Sequence, residues 1–265
     1  MFKRDRLRTA EDVAKLRENA LLVSSTLAEL ATLIKPGITT LALDKVAHDF
    51  ICDHGAKPGF LGYGGFPYTL CISVNDVVVH GFPSDYELKE GDVVSIDCGT
   101  IKHGFYGDSA FTFGVGQLSE ADAQLVAATR ESLECGIAAA VSGNRTGDIG
   151  HAVQGYVEQF GYGVVREYVG HGVGRSMHER PEVPNYGKPG QGVLLRPGLS
   201  ICIEPMVTAG NYSVSVADNG WEVRTVDHKK AAHFEKTLVV TGHGAPDVLT
   251  DYGVIDQALA RVQGA

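Results

Sequence analysis

The sequence has no uninterrupted apolar run of 18 residues, and no apolar segment follows its first residues. We therefore expect neither a membrane-spanning helix nor a secretory signal. Positive charge is also in deficit, because 32 acidic and 23 basic residues give a net charge of -9. This balance argues against a general surface for DNA or anionic membranes. The five cysteines are odd in number and form no CxxC pair, which is typical of reduced residues in a cytoplasmic protein.

The remaining composition is that of an ordinary globular protein, with 44% hydrophobic and 21% charged residues. No Pro/Ser linker and no low-complexity tract interrupts the chain. We therefore expect one compact domain over residues 1–265, with a substantial core.

The chain contains an internal repeat of two helices followed by strands. Capping-box patterns at Thr9 and Ser119 each predict a first helix. Second helices begin at Thr40 and Thr146, and their starts and stops share an offset of 106 residues. The apolar segments that lead to Asp97 and Glu204 match at an offset of 107. We infer two similar halves, about 9–113 and 119–242, with a ligand site between them.

The stretch Val93–Phe113 predicts two strands joined by a turn at residues 102–104, since apolar residues alternate on both sides of a glycine. If the hairpin is centred there, Asp97 and Asp108 face each other with Cβ atoms about 4.5–5.5 Å apart. Like charges so placed are unfavourable unless a proton or a cation lies between them. A shared divalent metal resolves the conflict; the alternative is that one or both aspartates point into water.

The second half offers Glu204 and Glu235 within apolar segments predicted to be strands, Glu235 lying on the last one. A glycine-rich stretch, residues 170–178, adds His171 and His178. It is not a dinucleotide fingerprint, since it lacks the last glycine and a following helix. Four carboxylates with one or two histidines suit Mn²⁺, Fe²⁺ or Co²⁺ better than a thiolate zinc site. Two such ions can activate water against a carbonyl, and the negative net charge disfavours a phosphate substrate. We therefore favour amide hydrolysis.

Taken together, these motifs resemble the type 1 methionine aminopeptidases in their short bacterial form, over about residues 5–242. The resemblance rests on Asn75 to Gly81 (NDVVVHG), Asp97 and Asp108, GHGVG with His178, Ile203-Glu204-Pro205 and Phe234-Glu235. It implies the α+β pita-bread fold, with two pseudo-symmetric halves around a curved antiparallel sheet and helices outside.

The resemblance also implies a metal set and a mechanism. Two divalent ions, chosen among Co²⁺, Mn²⁺, Fe²⁺, Ni²⁺ and Zn²⁺ with Fe²⁺ or Mn²⁺ favoured, would be bound by Asp97, Asp108, His171, Glu204 and Glu235. A hydroxide held between them would attack the carbonyl of an N-terminal methionine, with Glu204 as general base. His178 would stabilise the oxyanion and His80 would orient the next peptide nitrogen.

By the same resemblance, the methionine side chain would occupy an apolar pocket formed by Phe60, Tyr63, Phe66, Cys71, Met177 and Trp221. The chain departs here from the usual bacterial pattern, which more often has Cys at position 60, Tyr at 66 and Phe at 177. The implied partners are nascent polypeptide N-termini with a small second residue and, transiently, the ribosome, but no DNA and no membrane. For the oligomeric state, a monomer is the default expectation.

Two other functions are weighed against this one. A proline-specific aminopeptidase or dipeptidase shares the pita-bread fold, but the NDVVVHG segment disfavours it. A metal-free interaction protein that kept the fold would be expected to lose metal-binding residues, whereas all five are present.

Overall fold

The computed structural model describes residues 6–263 of the chain. Its α-helices are α1 (Ala10–Ala31), α2 (Thr40–Asp53), α3 (Glu120–Ala139), α4 (Thr146–Val157) and α5 (Gly253–Gln263). Short 3-10 helices cover Tyr63–Gly65 and Glu158–Phe160. Within residues 6–263, none of the helices combines the length and the apolarity that a bilayer crossing requires.

The four predicted helices of the repeat are confirmed. Thr9 caps α1 as a complete capping box, because its hydroxyl accepts from the backbone N–H of Asp12 and its own N–H donates to the Asp12 carboxylate. Of the two hydrogen bonds of the capping box predicted at Ser119, only the one accepted by its hydroxyl is formed. Ser119 accepts from the backbone N–H of Asp122, but the Asp122 carboxylate takes its bond from the Ser119 hydroxyl.

In the described part of the chain the strands form four antiparallel sheets. They are β1 (Lys57–Pro58), β2 (Leu70–Val74), β3 (Val77–Val79), β4 (Val93–Lys102), β5 (Phe105–Gly114), β6 (Gly163–Val164), β7 (Gly170–Gly172), β8 (Glu179–Val183), β9 (Ser200–Ile203), β10 (Met206–Thr208), β11 (Val214–Val216), β12 (Val223–Thr225), β13 (Ala231–His233), β14 (Lys236–Val239) and β15 (Asp247–Val248). In the first sheet β4 pairs with β1, β2 and β5; the other orders are β13-β10-β6, β11-β12-β3 and β15-β14-β9-β7-β8.

The predicted register of the aspartate hairpin is wrong by two residues. The turn holds only His103 and Gly104, both with positive φ, as in the two-residue turns that match strand twist. Asp97 therefore pairs with Ala110, and Asp108 pairs with Gly99. The two aspartates share one face of the sheet but lie diagonally, where Cα atoms are about 7–8 Å apart. This spacing leaves more room between the carboxylates than a facing pair would.

The last predicted strand, residues 232–240, is interrupted. β13 ends at His233 and β14 begins at Lys236, so Glu235 lies in the break and not on a strand. A matching break separates β9 from β10 at Glu204 and Pro205. The flanking ladders keep one register, since Ile203 pairs with Lys236 and Met206 with His233. Glu204 therefore lies opposite Glu235.

Hydrogen bonds join the two hairpins edge to edge. The backbone N–H of Glu235 donates to the carbonyl of Ala110 (3.0 Å), and the Ser109 hydroxyl donates to the carbonyl of Glu235. Helices α1, α2, α3 and α4 pack against these sheets, and α5 packs against α1; together they enclose one large apolar core. The packing brings the carboxylates of the first hairpin beside those of the second.

Candidate functional site

One cavity of about 210 Å³ collects all seven residues predicted as metal ligands or catalytic groups. They are His80, Asp97, Asp108, His171, His178, Glu204 and Glu235. These residues lie on or beside several different strands. They converge because the hairpin of β4 and β5 meets the paired segments that contain Glu204 and Glu235, and because β7 lies beside β9. The contacts between the sheets thus bring together residues of the first and second halves of the chain.

His171 lies on β7 at the centre of the acidic cluster. Its Nε2 is 3.5 Å from Asp108 Oδ2 and 3.5 Å from Glu204 Oε1. Burial, and then the neighbouring His178, lower the pKa of His171 to about 3, so these are contacts of a neutral ring and not ion pairs. Nδ1 lies 3.0 Å from the carbonyl of Gly172, so we assign the ring proton to Nδ1. Nε2 then presents a lone pair to the carboxylates, as a metal-binding histidine does.

Within residues 6–263, no lysine or arginine pairs with the four carboxylates, whose recorded basic contacts are with the rings of His171 and His233. Burial raises the pKa of Asp97, Asp108, Glu204 and Glu235, and the neighbouring carboxylates raise it further for the last three. Two of their oxygens, Asp97 Oδ1 and Glu235 Oε1, are buried without a hydrogen-bond partner in the described chain. Such groups are costly unless a cation pairs with them. An oxygen-rich set with one imidazole nitrogen fits a divalent ion.

A buried thiol, that of Cys202, lies in the same cluster. Four possible metal-ligand atoms lie within 4.8 Å of one another, one each from Asp108, His171, Cys202 and Glu235. Burial, and then Glu235 and Asp108, raise the pKa of Cys202 well above its usual value, whereas metals bind the thiolate. Its sulfur also lies 3.3 Å from the Thr237 hydroxyl. Cys202 therefore fits a packing role behind the carboxylates better than a ligand role.

His178 and His80 lie beside the cluster. Nδ1 of His178 is 2.8 Å from the hydroxyl of Tyr63, and its ring centroid is 4.3 Å from that of His171. His80 sits at the end of β3 with a φ of 59° and packs edge-on against Tyr168. Burial, and then His178, lower the pKa of His80 to about 4. Burial also lowers the pKa of His178. Both rings are therefore neutral at pH 7.

Aromatic and sulfur-bearing side chains form the apolar wall of the cavity. Five of the six predicted pocket residues line it: Phe60, Tyr63, Phe66, Cys71 and Trp221. The sixth, Met177, lies behind the lining, buried in the same apolar cluster as Phe60. A Cβ added to Gly99 would lie 2.7 Å from Phe60 and 2.8 Å from Met177, so the bare backbone at Gly99 makes room for both.

His233 was not predicted from the sequence as a site residue. This ring is buried in the cavity lining, with Nε2 unpartnered in the described chain and 3.7 Å from Glu204 Oε2. A signal was available, since His233 lies two residues before Glu235 in a predicted strand and so on the same face. Tyr168 and Val169, also missed, precede GHGVG in a loop with no motif of its own.

Comparison with known proteins gives one consistent answer. The sequence profile of metallopeptidase family M24 matches residues 14–242. The methionine aminopeptidase of Clostridium acetobutylicum is 50% identical over 240 residues, which cover 90% of this chain and 96% of that protein.

Solved structures agree with the sequence comparison. The methionine aminopeptidase structure from Rickettsia prowazekii superposes with a TM-score of 0.92 at 39% identity, covering 94% of this chain and all of that one. An Xaa-Pro dipeptidase from Bacillus anthracis, at 21% identity and a TM-score of 0.75 over 92% of this chain and 62% of that one, shares the fold alone. The fold is therefore the predicted pita-bread arrangement, and the chain belongs to metallopeptidase family M24, among its methionine aminopeptidases.

Proposed function

We propose that the chain removes the N-terminal methionine from nascent proteins and peptides whose second residue is small, using two divalent metal ions. The observation that carries the proposal is the cavity itself. Four largely enclosed carboxylates and the Nε2 of His171 meet at one end, and an apolar wall of aromatic and sulfur-bearing side chains forms the other. A free N-terminal methionine has the complementary layout, with a cationic amine, a reacting carbonyl and an apolar thioether.

Asp97, Asp108, His171, Glu204 and Glu235 would hold the ions. Asp97 and Glu235 each contribute a buried oxygen that lacks another partner in the described chain. When bound, the ions supply Lewis-acid polarisation of the scissile carbonyl and lower the pKa of water at the site. Membership of a metallopeptidase family implies a divalent metal; the number of ions and the preference for Fe²⁺ or Mn²⁺ are part of the proposal.

Glu204 acts as the general base in this scheme. Its side chain is 13% exposed and lies between His171 and His233, with ring nitrogens 3.5 and 3.7 Å away. It takes the proton of the attacking water and returns it to the leaving amine, as a carboxylate within hydrogen-bond reach of both can do. Asp97 would help to hold the free α-amino group of the substrate.

His178 and His80 contact the substrate. The Tyr63 hydroxyl occupies Nδ1 of His178 at 2.8 Å, which leaves Nε2 to donate to the oxygen that becomes negative in the transition state. His80 orients the peptide nitrogen of the second residue. Because burial lowers the pKa of both rings, each acts as a neutral imidazole and does not compete with the ions for the carboxylates.

The methionine side chain binds the apolar wall. Phe66 packs edge-on against Trp221 and Phe82, with centroids 5.2 and 5.4 Å apart, which makes the wall rigid. Burial raises the pKa of Cys71 well above its usual value, so it stays a thiol and suits a thioether neighbour. Met177 supports Phe60 from behind.

The remainder of the peptide leaves through a second cavity of about 540 Å³ that shares Tyr168, Val169, His171 and His178 with the first. We place the reaction in the cytoplasm, in a monomer that contacts the ribosome transiently. A single catalytic domain made of the two similar halves is part of the same proposal.

Hydrolysis of Met-Ala-Ser and Met-Leu-Ser by metal-stripped protein, with Mn²⁺, Fe²⁺ or Co²⁺ restored anaerobically, tests the proposal. Methionine should be released from Met-Ala-Ser, only with metal, and Met-Leu-Ser should be a poor substrate. Glu204→Gln should abolish release while circular dichroism shows an unchanged fold. Release without metal, or none with any of the three metals, contradicts the proposal, and the latter result favours a metal-free interaction protein.

A further inference from the structure

The segment that precedes α1 is tied to the substrate-binding region by one arginine. Leu7 forms an isolated antiparallel bridge with Leu199, and the backbone N–H of Arg8 donates to the carbonyl of Gly198 at 2.7 Å. These bonds fix the backbone of Arg8 beside β9. Its side chain then reaches across to the loop between β7 and β8, residues 173–178, which we call the His178 loop.

The Arg8 guanidinium is almost completely enclosed. Its Nε donates to the Ser200 hydroxyl at 2.9 Å, and its Nη2 donates to the carbonyl of Val173 at 3.0 Å and to Glu179. The side chains of Arg8 and Glu179 are 5% and 9% exposed. Removing one partner of so buried an ion pair leaves an uncompensated charge. We therefore expect the ion pair between Arg8 and Glu179 to be required for the local structure, unlike an ion pair on the surface.

Glu179 passes this restraint to the His178 loop. Its Oε2 accepts from Arg8, and its Oε1 accepts from the backbone N–H groups of Arg175 and Ser176, at 3.0 and 3.2 Å. The guanidinium also lies directly on the loop, because a Cβ added to Gly174 would be 2.0 Å from Arg8 Nη2. The loop is thus held at Val173, Gly174, Arg175 and Ser176.

The next two residues of the loop are Met177 and His178. Met177 supports Phe60 in the apolar wall, and His178 is the proposed donor to the oxyanion. Displacement of about 1 Å in such a donor can cost about 100-fold in rate. We propose that Arg8, acting through Glu179, is a positioning residue that sets the place of His178. This inference rests on the proposed function and adds to it a role for the segment before α1.

Two measurements on purified full-length protein test the inference. Hydrogen–deuterium exchange should show faster exchange in peptides covering residues 173–179 of Arg8→Met, with α1 and β4 unchanged. With Met-Ala-Ser and Mn²⁺, kcat should fall about tenfold or more, with a smaller change in KM. Arg8→Lys, which keeps the charge, should recover part of the loss.

Arg17→Met is the matched control, since Arg17 also anchors the N-terminal part of the chain, through an ion pair with Asp247 that is about 40% exposed. It should change neither the exchange of residues 173–179 nor kcat. Glu179→Gln keeps the shape of the side chain and should reproduce the Arg8→Met defect. The two losses should be non-additive in the double variant, because both residues act on one loop.

Unchanged exchange in residues 173–179 together with unchanged kcat in both Arg8→Met and Glu179→Gln overturns the inference, as does an equal defect in Arg17→Met. If Arg8→Met does not fold, Glu179→Gln decides alone. The exchange result does not depend on activity. A wild-type protein that releases no methionine would therefore contradict the proposed function, while the exchange data would still test the restraint on the loop.

Discussion

The hydroxyl of Tyr63 lies 2.8 Å from Nδ1 of His178, across 115 positions of sequence. The bond fixes the orientation of a ring that is otherwise exposed at the mouth of the cavity. Tyr63 itself begins a 3-10 turn, Tyr63–Gly65, that closes the loop carrying Phe60 and Phe66. One hydroxyl thus couples the apolar wall to the proposed oxyanion donor.

Tyr63→Phe should lower kcat for Met-Ala-Ser by about twofold to tenfold, the equivalent of one hydrogen bond worth about 0.5–1.5 kcal/mol. KM should change little, because the ring remains. Steady-state kinetics at saturating Mn²⁺ measure both. Tyr68→Phe is the control, since it removes a hydroxyl from the same aromatic cluster but keeps the bond to His178. Equal effects of the two substitutions on kcat would show that the hydrogen bond between Tyr63 and His178 does not contribute to the rate.

Gly99→Ala should narrow the methionine pocket. The new methyl group would lie 2.7 Å from the Phe60 ring and 2.8 Å from the Met177 methyl, so both must move. We expect a higher KM for Met-Ala-Ser and a loss of stability of about 1–3 kcal/mol, as for other overpacked cores. Gly155→Ala, on the exposed face of α4 with no atom within 4 Å of the new Cβ, should instead leave KM unchanged and raise the free energy of unfolding by about 0.5–1 kcal/mol. A KM for Gly99→Ala equal to that of wild type would refute the pocket assignment.

In metal-stripped protein, the ionisation of Asp97 should lower the free energy of unfolding as the pH rises. Burial raises the pKa of Asp97 to about 7 in the folded chain, against about 4 in the unfolded chain. Between these values the folded chain binds more protons, so the free energy of unfolding falls with rising pH. Relative to wild type, Asp97→Asn should therefore raise the melting temperature more at pH 7.5 than at pH 4.5.

Chelated samples of both proteins, melted at the two pH values, give the comparison for Asp97. Adding Mn²⁺ should reverse the order at pH 7.5, since the wild-type carboxylate then has a cation to bind. A difference in melting temperature between wild type and Asp97→Asn that is the same at both pH values would mean that burial does not raise the pKa of Asp97.

Cys202→Ala should keep metal binding. Burial and two neighbouring carboxylates raise the pKa of this thiol, so it is not ionised for binding. We expect an unchanged Mn²⁺ stoichiometry by isothermal titration. Wild-type protein titrated with Co²⁺ should show no sulfur-to-metal charge-transfer absorption. Such absorption, lost in Cys202→Ala, would make Cys202 a ligand.

The sequence was sufficient for the helices, because capping residues and apolar periodicity are local signals, whereas the full set of converging residues depended on the family resemblance. The sequence was not sufficient for register. A turn of two residues with positive φ at His103 and Gly104 shifted Asp97 from Asp108 to Ala110, and the residue types allowed either turn. The breaks at Glu204 and Glu235 were not predicted either, although Pro205 cannot donate to a strand ladder and so marks the first of them.

Tertiary contacts decided the remaining details of the site. Met177 lies behind the pocket wall because Gly99 leaves space for it beneath Phe60. His233 reaches the cavity only because β13 pairs with β10 in the register that places Glu204 opposite Glu235. The role of Arg8 depends on a bridge between Leu7 and Leu199 that joins residues 192 positions apart. No pattern within a short window contains these relationships.

The most direct test of the central claim is the location of Mn²⁺ by anomalous X-ray diffraction from crystals of the metal-loaded protein. The account predicts two anomalous peaks among the carboxylates of Asp97, Asp108, Glu204 and Glu235, with Nε2 of His171 bound to one of the two ions. Peaks elsewhere, or none at saturating Mn²⁺ in protein that releases methionine, would contradict it.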